Sequence, residues 1–139
     1  MDQKQIDELV AAARAVRVKA HAPYSGYAVG AAVLALDGRI FIGCNVENAS
    51  FGLSVCAERH AIAAAVAAGC RDFIGIAVVT QSDPPAAPCG ACRQVLAEFG
   101  DFPVILAGVD GGSQTTTVRS LLPLAFDPET LAAASDETR

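Results

Sequence analysis

Apolar side chains at Ile6, Leu9, Val10, Ala13, Val16 and Ala20 recur at helical spacing, which predicts an amphipathic helix from about Gln3 to Ala20. His21-Ala22-Pro23 ends it. Val29–Leu36 and Arg39–Val46 are rich in β-formers and flank Asp37-Gly38, a two-residue hairpin signal. The polar segment Asn45–Ser54 reads as a loop, and Val55–Ala68 as a helix stopped by Gly69. That second helix is alanine-rich on nearly every side, with Glu58, Arg59 and His60 confined to its first turns; such a helix is expected to be buried all round.

Beyond it, Phe73–Thr80 is a nearly continuous apolar run, the pattern of a central strand covered on both faces. A proline-rich loop, Gln81–Pro88, leads into a short helix, Gly90–Phe99, closed by Gly100. Val104–Val109 is another buried-type strand, the Asp110-Gly111-Gly112 turn follows, and Gln114–Val118 reads as a last strand. Leu121-Leu122-Pro123 opens a short C-terminal region, and Ser135–Arg139 is expected to fray. Helix, hairpin, helix, strand, helix, strand, strand predicts an α/β fold, one mixed sheet between helices in α/β/α layers. Neither a repeat nor an interdomain linker interrupts it, so residues 1–139 are expected to form a single domain.

Composition sharpens this picture. Hydrophobic residues make up 53% of the 139 and charged ones only 18%, so either the core is large or part of the surface is covered by other subunits. A net charge of −5 and a pI near 4.8, without a basic run, argue against duplex nucleic acid as a partner. A nucleoside carries no phosphate and remains acceptable. The polar, acidic start shows no secretory pattern, and the longest apolar run, Ala61–Cys70, is far short of the roughly 20 residues that span a bilayer. The expectation is a cytoplasmic protein without membrane contact, its thiols reduced.

Five cysteines in such a compartment point to metal or redox chemistry. Cys89-x-x-Cys92 alone fits a redox pair, half of a structural zinc site or two buried thiols. Cys56-Ala57-Glu58 changes the balance, because it places a third thiol at the start of one helix and a carboxylate two residues on. Three protein ligands leave the fourth tetrahedral position of a zinc ion to water, whereas structural sites normally use four. Cys-x-Glu followed by Pro88-Cys89-Gly-Ala-Cys92 is the three-cysteine form of the zinc deaminase signature, in which Glu58 moves the protons. Three thiolates around Zn²⁺ leave a charge of about −1. Arg59 could offset it by hydrogen-bonding the thiolates, or could be an ordinary surface arginine. His60 is not required by this chemistry, His21 is expected to be exposed, and Cys44 and Cys70 read as buried small hydrophobes.

At Asn45-Val46-Glu47-Asn48-Ala49-Ser50, Cys56-Ala57-Glu58-Arg59 and Pro88-Cys89-Gly90-Ala91-Cys92-Arg93-Gln94 the chain closely resembles the small cytidine deaminases. Val29-Gly30-Ala31-Ala32 and Leu121-Leu122-Pro123 extend the resemblance over nearly the whole chain. It implies a five-stranded mixed sheet in a three-layer α/β/α sandwich, one Zn²⁺ per chain, and a homotetramer. The implied activity is hydrolytic deamination of cytidine and deoxycytidine in pyrimidine salvage. Activated water attacks C4 of the pyrimidine, while Glu58 takes its proton, delivers it to N3 and assists departure of ammonia.

By the same resemblance Asn45 and Glu47 hydrogen-bond the ribose hydroxyls, although as bare residues they could be ordinary loop polars. The Ala57 N–H would hold the pyrimidine carbonyl, and Tyr27 would stack on the base. Phe51 and Phe126 would reach into or beside a neighbouring subunit's pocket; taken alone, Phe126 fits a core position equally well. Two positions depart from the family: Tyr27 stands where it usually has Phe, and Phe51 where it usually has Tyr. The alternatives are a zinc deaminase for another cytosine-containing substrate such as blasticidin S, and a structural-zinc interaction module, which has no use for Glu58.

Overall fold

The computed structural model describes residues Met1–Glu137. Helix α1, Gln3–Arg17, begins at a reciprocal cap: Asp2 Oδ1 accepts from the Gln5 N–H at 2.8 Å, and Gln5 Oε1 accepts from the Asp2 N–H at 2.9 Å. It stops three residues before the predicted end. Lys19 and Ala20 close tight turns onto Val16 and Arg17, and His21 then exchanges backbone bonds with Asn45 and Glu47. Pairing with a distant segment outcompetes one more helical turn.

Strands β1 (Gly30–Ala35) and β2 (Ile40–Cys44) form the expected hairpin. Gly38 adopts φ +93°, and Asp37 Oδ1 accepts from the Arg39 N–H at 3.0 Å. β2 ends at Cys44 rather than Val46, because Val46 leaves the sheet to bridge His21 and Val55. A single 3-10 turn, Phe51–Leu53, follows, then α2 (Ala57–Ala67), β3 (Phe73–Thr80), α3 (Gly90–Ala97), β4 (Pro103–Gly108) and β5 (Ser113–Thr117). The sheet order is β2-β1-β3-β4-β5, antiparallel throughout except for the parallel β3–β4 pair, whose crossover carries α3. This is the five-stranded mixed sheet expected.

Alternation along the strands divides the core. Leu9 and Ala13 of α1 pack on Ala32, Leu34, Ala77, Val79, Ile105 and Ala107, one face of the sheet. The opposite face, with Val33, Ile76, Val78, Val104 and Leu106, is covered by Ala57, Ala61, Ile62 and Ala65 of α2 and Leu96 of α3. Three layers result, α1 on one side and α2 with α3 on the other. Gly43 sets how closely α2 seats: a Cβ there would lie 2.5 Å from the Ala57 carbonyl oxygen and the Ala61 nitrogen.

One expectation is corrected. α2 is buried on a single side within the chain, since Ala63, Ala64, Ala67 and Ala68 are exposed. The sheet covers one face of a helix, and among the described residues no other element crosses the outer one. The C-terminal region, left unassigned by pattern, holds α4 (Val118–Leu121) and α5 (Pro128–Glu137), the latter helical where fraying was expected from Ser135. Thr138 and Arg139, the end of that stretch, lie outside the described residues. No helix among the described residues is long and apolar enough to cross a membrane.

Candidate active site

Cys56 is the N-cap of α2 and Cys89 the N-cap of α3, with Cys92 in the first turn of α3. The backbone N–H groups and the positive end of each helix dipole therefore meet at the thiols, where negative charge is favoured. All three Sγ atoms lie within 4.8 Å of one another, and Cys56 Sγ is 3.7 Å from Cys89 Sγ. Tetrahedral zinc with Zn–S bonds of about 2.3 Å requires sulfur atoms about 3.8 Å apart. The three thiols fit a zinc ion, and among the described residues no fourth His, Cys, Asp or Glu atom joins the cluster.

Hydrogen bonding sorts the protons in the metal-free cluster. The shared Cys92–Cys56 bond, with help from Arg59 and Cys89, lowers the Cys56 thiol to about 5. That same bond, burial and the Glu58 charge push Cys92 up, so it keeps its proton while Cys56 is a thiolate. Arg59, half-buried, places Nη2 3.6 Å from Cys56 Sγ, and its Nε is buried without a partner among the described residues. It is no free surface arginine.

Glu58, one residue into α2, is only 4% exposed. Burial raises its pKa above the ordinary carboxyl value, opposed by a hydrogen bond with Cys92 and reinforced by the Cys56 charge. A carboxyl shifted in this direction, against an open metal position, is suited to carrying a proton both ways. Ala57 is the first residue of α2, so its N–H has no intrahelical carbonyl to bond. His60 is committed elsewhere: its Nδ1 bonds the Cys44 carbonyl at 2.8 Å, tying α2 to the end of β2.

Asn45 and Glu47 sit on the segment that leaves β2. Asn45 Nδ2 donates to the Tyr27 carbonyl at 2.7 Å, and its Oδ1 accepts from the Val29 N–H at 2.8 Å. Glu47 accepts the Tyr24 and Ser25 N–H groups at 3.0 and 3.1 Å and the Ser25 hydroxyl as well, contacts that depress its pKa. With Tyr24, Ser25, Phe51 and Ser54 it lines a cavity of about 290 Å³. Neither this cavity nor one of about 420 Å³ beside Glu98, Asp101, Arg119 and Asp127 is lined by a cysteine.

Tyr27 is half-buried, and its hydroxyl is hydrogen-bonded to Ser82 Oγ in the loop that leads to Cys89. Phe51, 72% exposed, meets the Tyr24 ring edge to face at 5.5 Å. Phe126 is also exposed, so it is no core residue; its carbonyl accepts from Gln94 Nε2 of α3 at 2.7 Å. His21 is exposed, as expected. Cys44 is half-buried, whereas Cys70 is buried in a polar setting, 2.9 Å from Arg39 Nη2 and 3.5 Å from Asp37 Oδ2.

Three residues of the region escaped the sequence reading. Arg93 donates to the Pro88 carbonyl at 2.7 Å and to the Leu121 carbonyl at 2.8 Å, pinning the cysteine loop to the C-terminal segment. Ser82 meets Tyr27, and Ser25 meets Glu47. Nothing local in the Pro23-Tyr24-Ser25-Gly26 run says what the serine faces.

Comparison with known proteins agrees with this geometry. The family model described as "Cytidine and deoxycytidylate deaminase zinc-binding region" matches residues 3–107. The cytidine deaminase of Sporosarcina psychrophila is 46% identical over 134 residues, 95% of this chain and 98% of that one. A crystal structure of cytidine deaminase from Burkholderia pseudomallei superposes with a TM-score of 0.85 at 50% identity, over 91% of this chain and 100% of that one. The blasticidin-S deaminase of Bacillus cereus is more distant, 31% identical over 70% of this chain and 76% of its own length. The fold and the three-thiol site thus define a zinc-binding hydrolytic deaminase. Within that class, the chain belongs to the cytidine and deoxycytidylate deaminase family.

Proposed function

We propose that the chain hydrolyses cytidine and deoxycytidine to uridine and deoxyuridine with release of ammonia, in pyrimidine salvage. The single observation that carries the reading is Glu58, a buried carboxyl with a raised pKa beside three thiols that leave a fourth metal position open. A structural-zinc module has no use for it. Cys56, Cys89 and Cys92 would hold the zinc, which when bound would supply the Lewis acidity that activates water near neutral pH. Glu58 accepts the proton of the attacking water, passes it to pyrimidine N3, and then helps the amino group leave as ammonia. Arg59 moderates the charge on Cys56. The Ala57 N–H is free to hold the pyrimidine carbonyl, Tyr27 stacks on the base, and Asn45 with Glu47 binds the ribose.

The same reading takes residues 1–139 as one catalytic domain working in the cytoplasm as a homotetramer. Supporting the assembly are the exposed alanine face of α2 and the exposed side chains of Phe51, Leu53 and Phe126. A closed symmetric oligomer would cover them, with Phe51 and Phe126 beside a neighbour's pocket.

Ammonia release measured on cytidine, deoxycytidine, cytosine, blasticidin S and adenosine tests the proposal. Turnover of both nucleosides well above that of cytosine is expected. Preference for blasticidin S would transfer the chain to the alternative, and inactivity of the zinc-loaded protein on all five compounds would end the catalytic reading.

A further inference from the structure

We propose that Ser25 is a positioning residue, whose hydroxyl orients the Glu47 carboxylate so that one acceptor site remains for a sugar hydroxyl. The proposal rests on the reading of Glu47 as a ribose contact.

A carboxylate offers about four lone-pair sites, two on each oxygen. Both sites of Glu47 Oε1 are taken, by the N–H groups of Tyr24 at 3.0 Å and Ser25 at 3.1 Å. Oε2 receives the Ser25 hydroxyl, which leaves one site on that oxygen. The direction of this bond is fixed. Ser25 Oγ already accepts the Tyr27 N–H at 3.0 Å, so its single proton is turned toward Glu47.

The Ser25 backbone is itself held. The Gly26 N–H closes onto the Ala22 carbonyl at 2.9 Å, and Gly26 takes φ +66°, so the turn presents three donors to one carboxylate. Tyr27, the residue that orients the Ser25 hydroxyl, has its carbonyl bound by Asn45 Nδ2 at 2.7 Å. Asn45 and Glu47 are therefore braced through one short segment, and Ser25 is the only side chain in that segment bonded to Glu47 among the described residues. These donors also keep Glu47 ionised, hence an acceptor. Ser25 and Glu47 line the same cavity, so the remaining site on Oε2 is within reach of a ligand.

The test compares cytidine with 2′,3′-dideoxycytidine, which lacks the hydroxyls that Glu47 would bind. Losing a hydrogen bond to a charged group amounts to roughly tenfold. Ser25→Ala, with zinc content unchanged, should lower kcat/KM on cytidine by about that factor and clearly less on dideoxycytidine, so that the ratio narrows. Ser25→Thr, which restores the hydroxyl, should recover the ratio, and Ser25→Ala combined with Glu47→Ala should be no more impaired than Glu47→Ala alone. Ser25→Cys, with a weak donor of similar shape, should narrow the ratio even where Ser25→Ala does not fold.

If Glu47→Ala narrows the ratio while Ser25→Ala and Ser25→Cys keep the original value, the positioning role is refuted and the ribose reading survives. Equal losses on both substrates would likewise reduce Ser25 to a structural residue. If Glu47→Ala itself leaves the ratio unchanged, the ribose reading fails and takes this inference with it.

Discussion

Burial pushes Glu58 and the thiols alike toward their protonated forms, and hydrogen bonding decides which of them escapes. The carboxyl is pushed toward its protonated form, while Cys56, bonded by Cys92 and Arg59, is held ionised. Separating ligand from proton carrier gives two distinct outcomes. Cys89→Ala removes a ligand and should lose both zinc and activity, as elemental analysis beside an ammonia assay would show. Glu58→Gln removes no ligand, so zinc should stay while turnover falls by roughly 10²–10⁴; near-normal turnover in that variant would contradict its role. The thiol shift also makes a pH-dependent statement. Cys56 is held below its ordinary thiol value, so its ionisation stabilises the fold and that contribution is lost as the pH falls, while Cys92, pushed up by the same bond, opposes it as the pH rises. Alkylation of metal-free protein, followed by mass spectrometry as the pH is raised, should label Cys56 before Cys92.

Elements place these groups by close approach, and Gly43 is where β2 lets α2 come close. Any Cβ at that position meets the backbone of α2 at 2.5 Å, next to Cys56. Gly43→Ala should therefore cost about 1–3 kcal/mol, the usual range for overpacking. Gly112→Ala, where a Cβ would meet nothing within 4 Å, serves as the control. Denaturant titration of the two variants checks the difference. At this scale the sequence was informative wherever a signal is local. The stripe of α1, the Asp37-Gly38 hairpin, the apolar runs of β3 and β4, and the thiols at helix starts were all visible as spacing. What distant partners decide was not visible. α1 ends early because His21 pairs with Asn45 and Glu47, and β2 ends early because Val46 turns to Val55. The exposed side of α2 depends on how much of a helix one sheet can cover. Asn45 and Glu47 stood out only by resemblance, since as bare residues they could be loop polars and the segment from Tyr24 to Val29 that meets them is distant in sequence.

At the level of the whole molecule, the exposed face of α2 and the exposed Phe51 and Phe126 sit on a chain with only 18% charged residues. If subunits share pockets, specific activity should fall along with light-scattering mass as the protein is diluted, and Phe126→Ala should weaken activity or assembly. A fully active monomer would rule out the shared pockets and leave the zinc chemistry intact. The thiols have a consequence of another kind. Cys56 ends the connection between β2 and α2, whereas Cys89 ends the one between β3 and α3 and Cys92 lies in the first turn of α3. A single ion bound to all three sulfurs therefore cross-links two segments 33 residues apart that share no covalent tie. Chelation should be read out as a local loosening, with amide protons of residues 56–60 and 89–93 exchanging faster. Those of Ala77 and Ile105, in the middle of the sheet, should exchange as slowly as before.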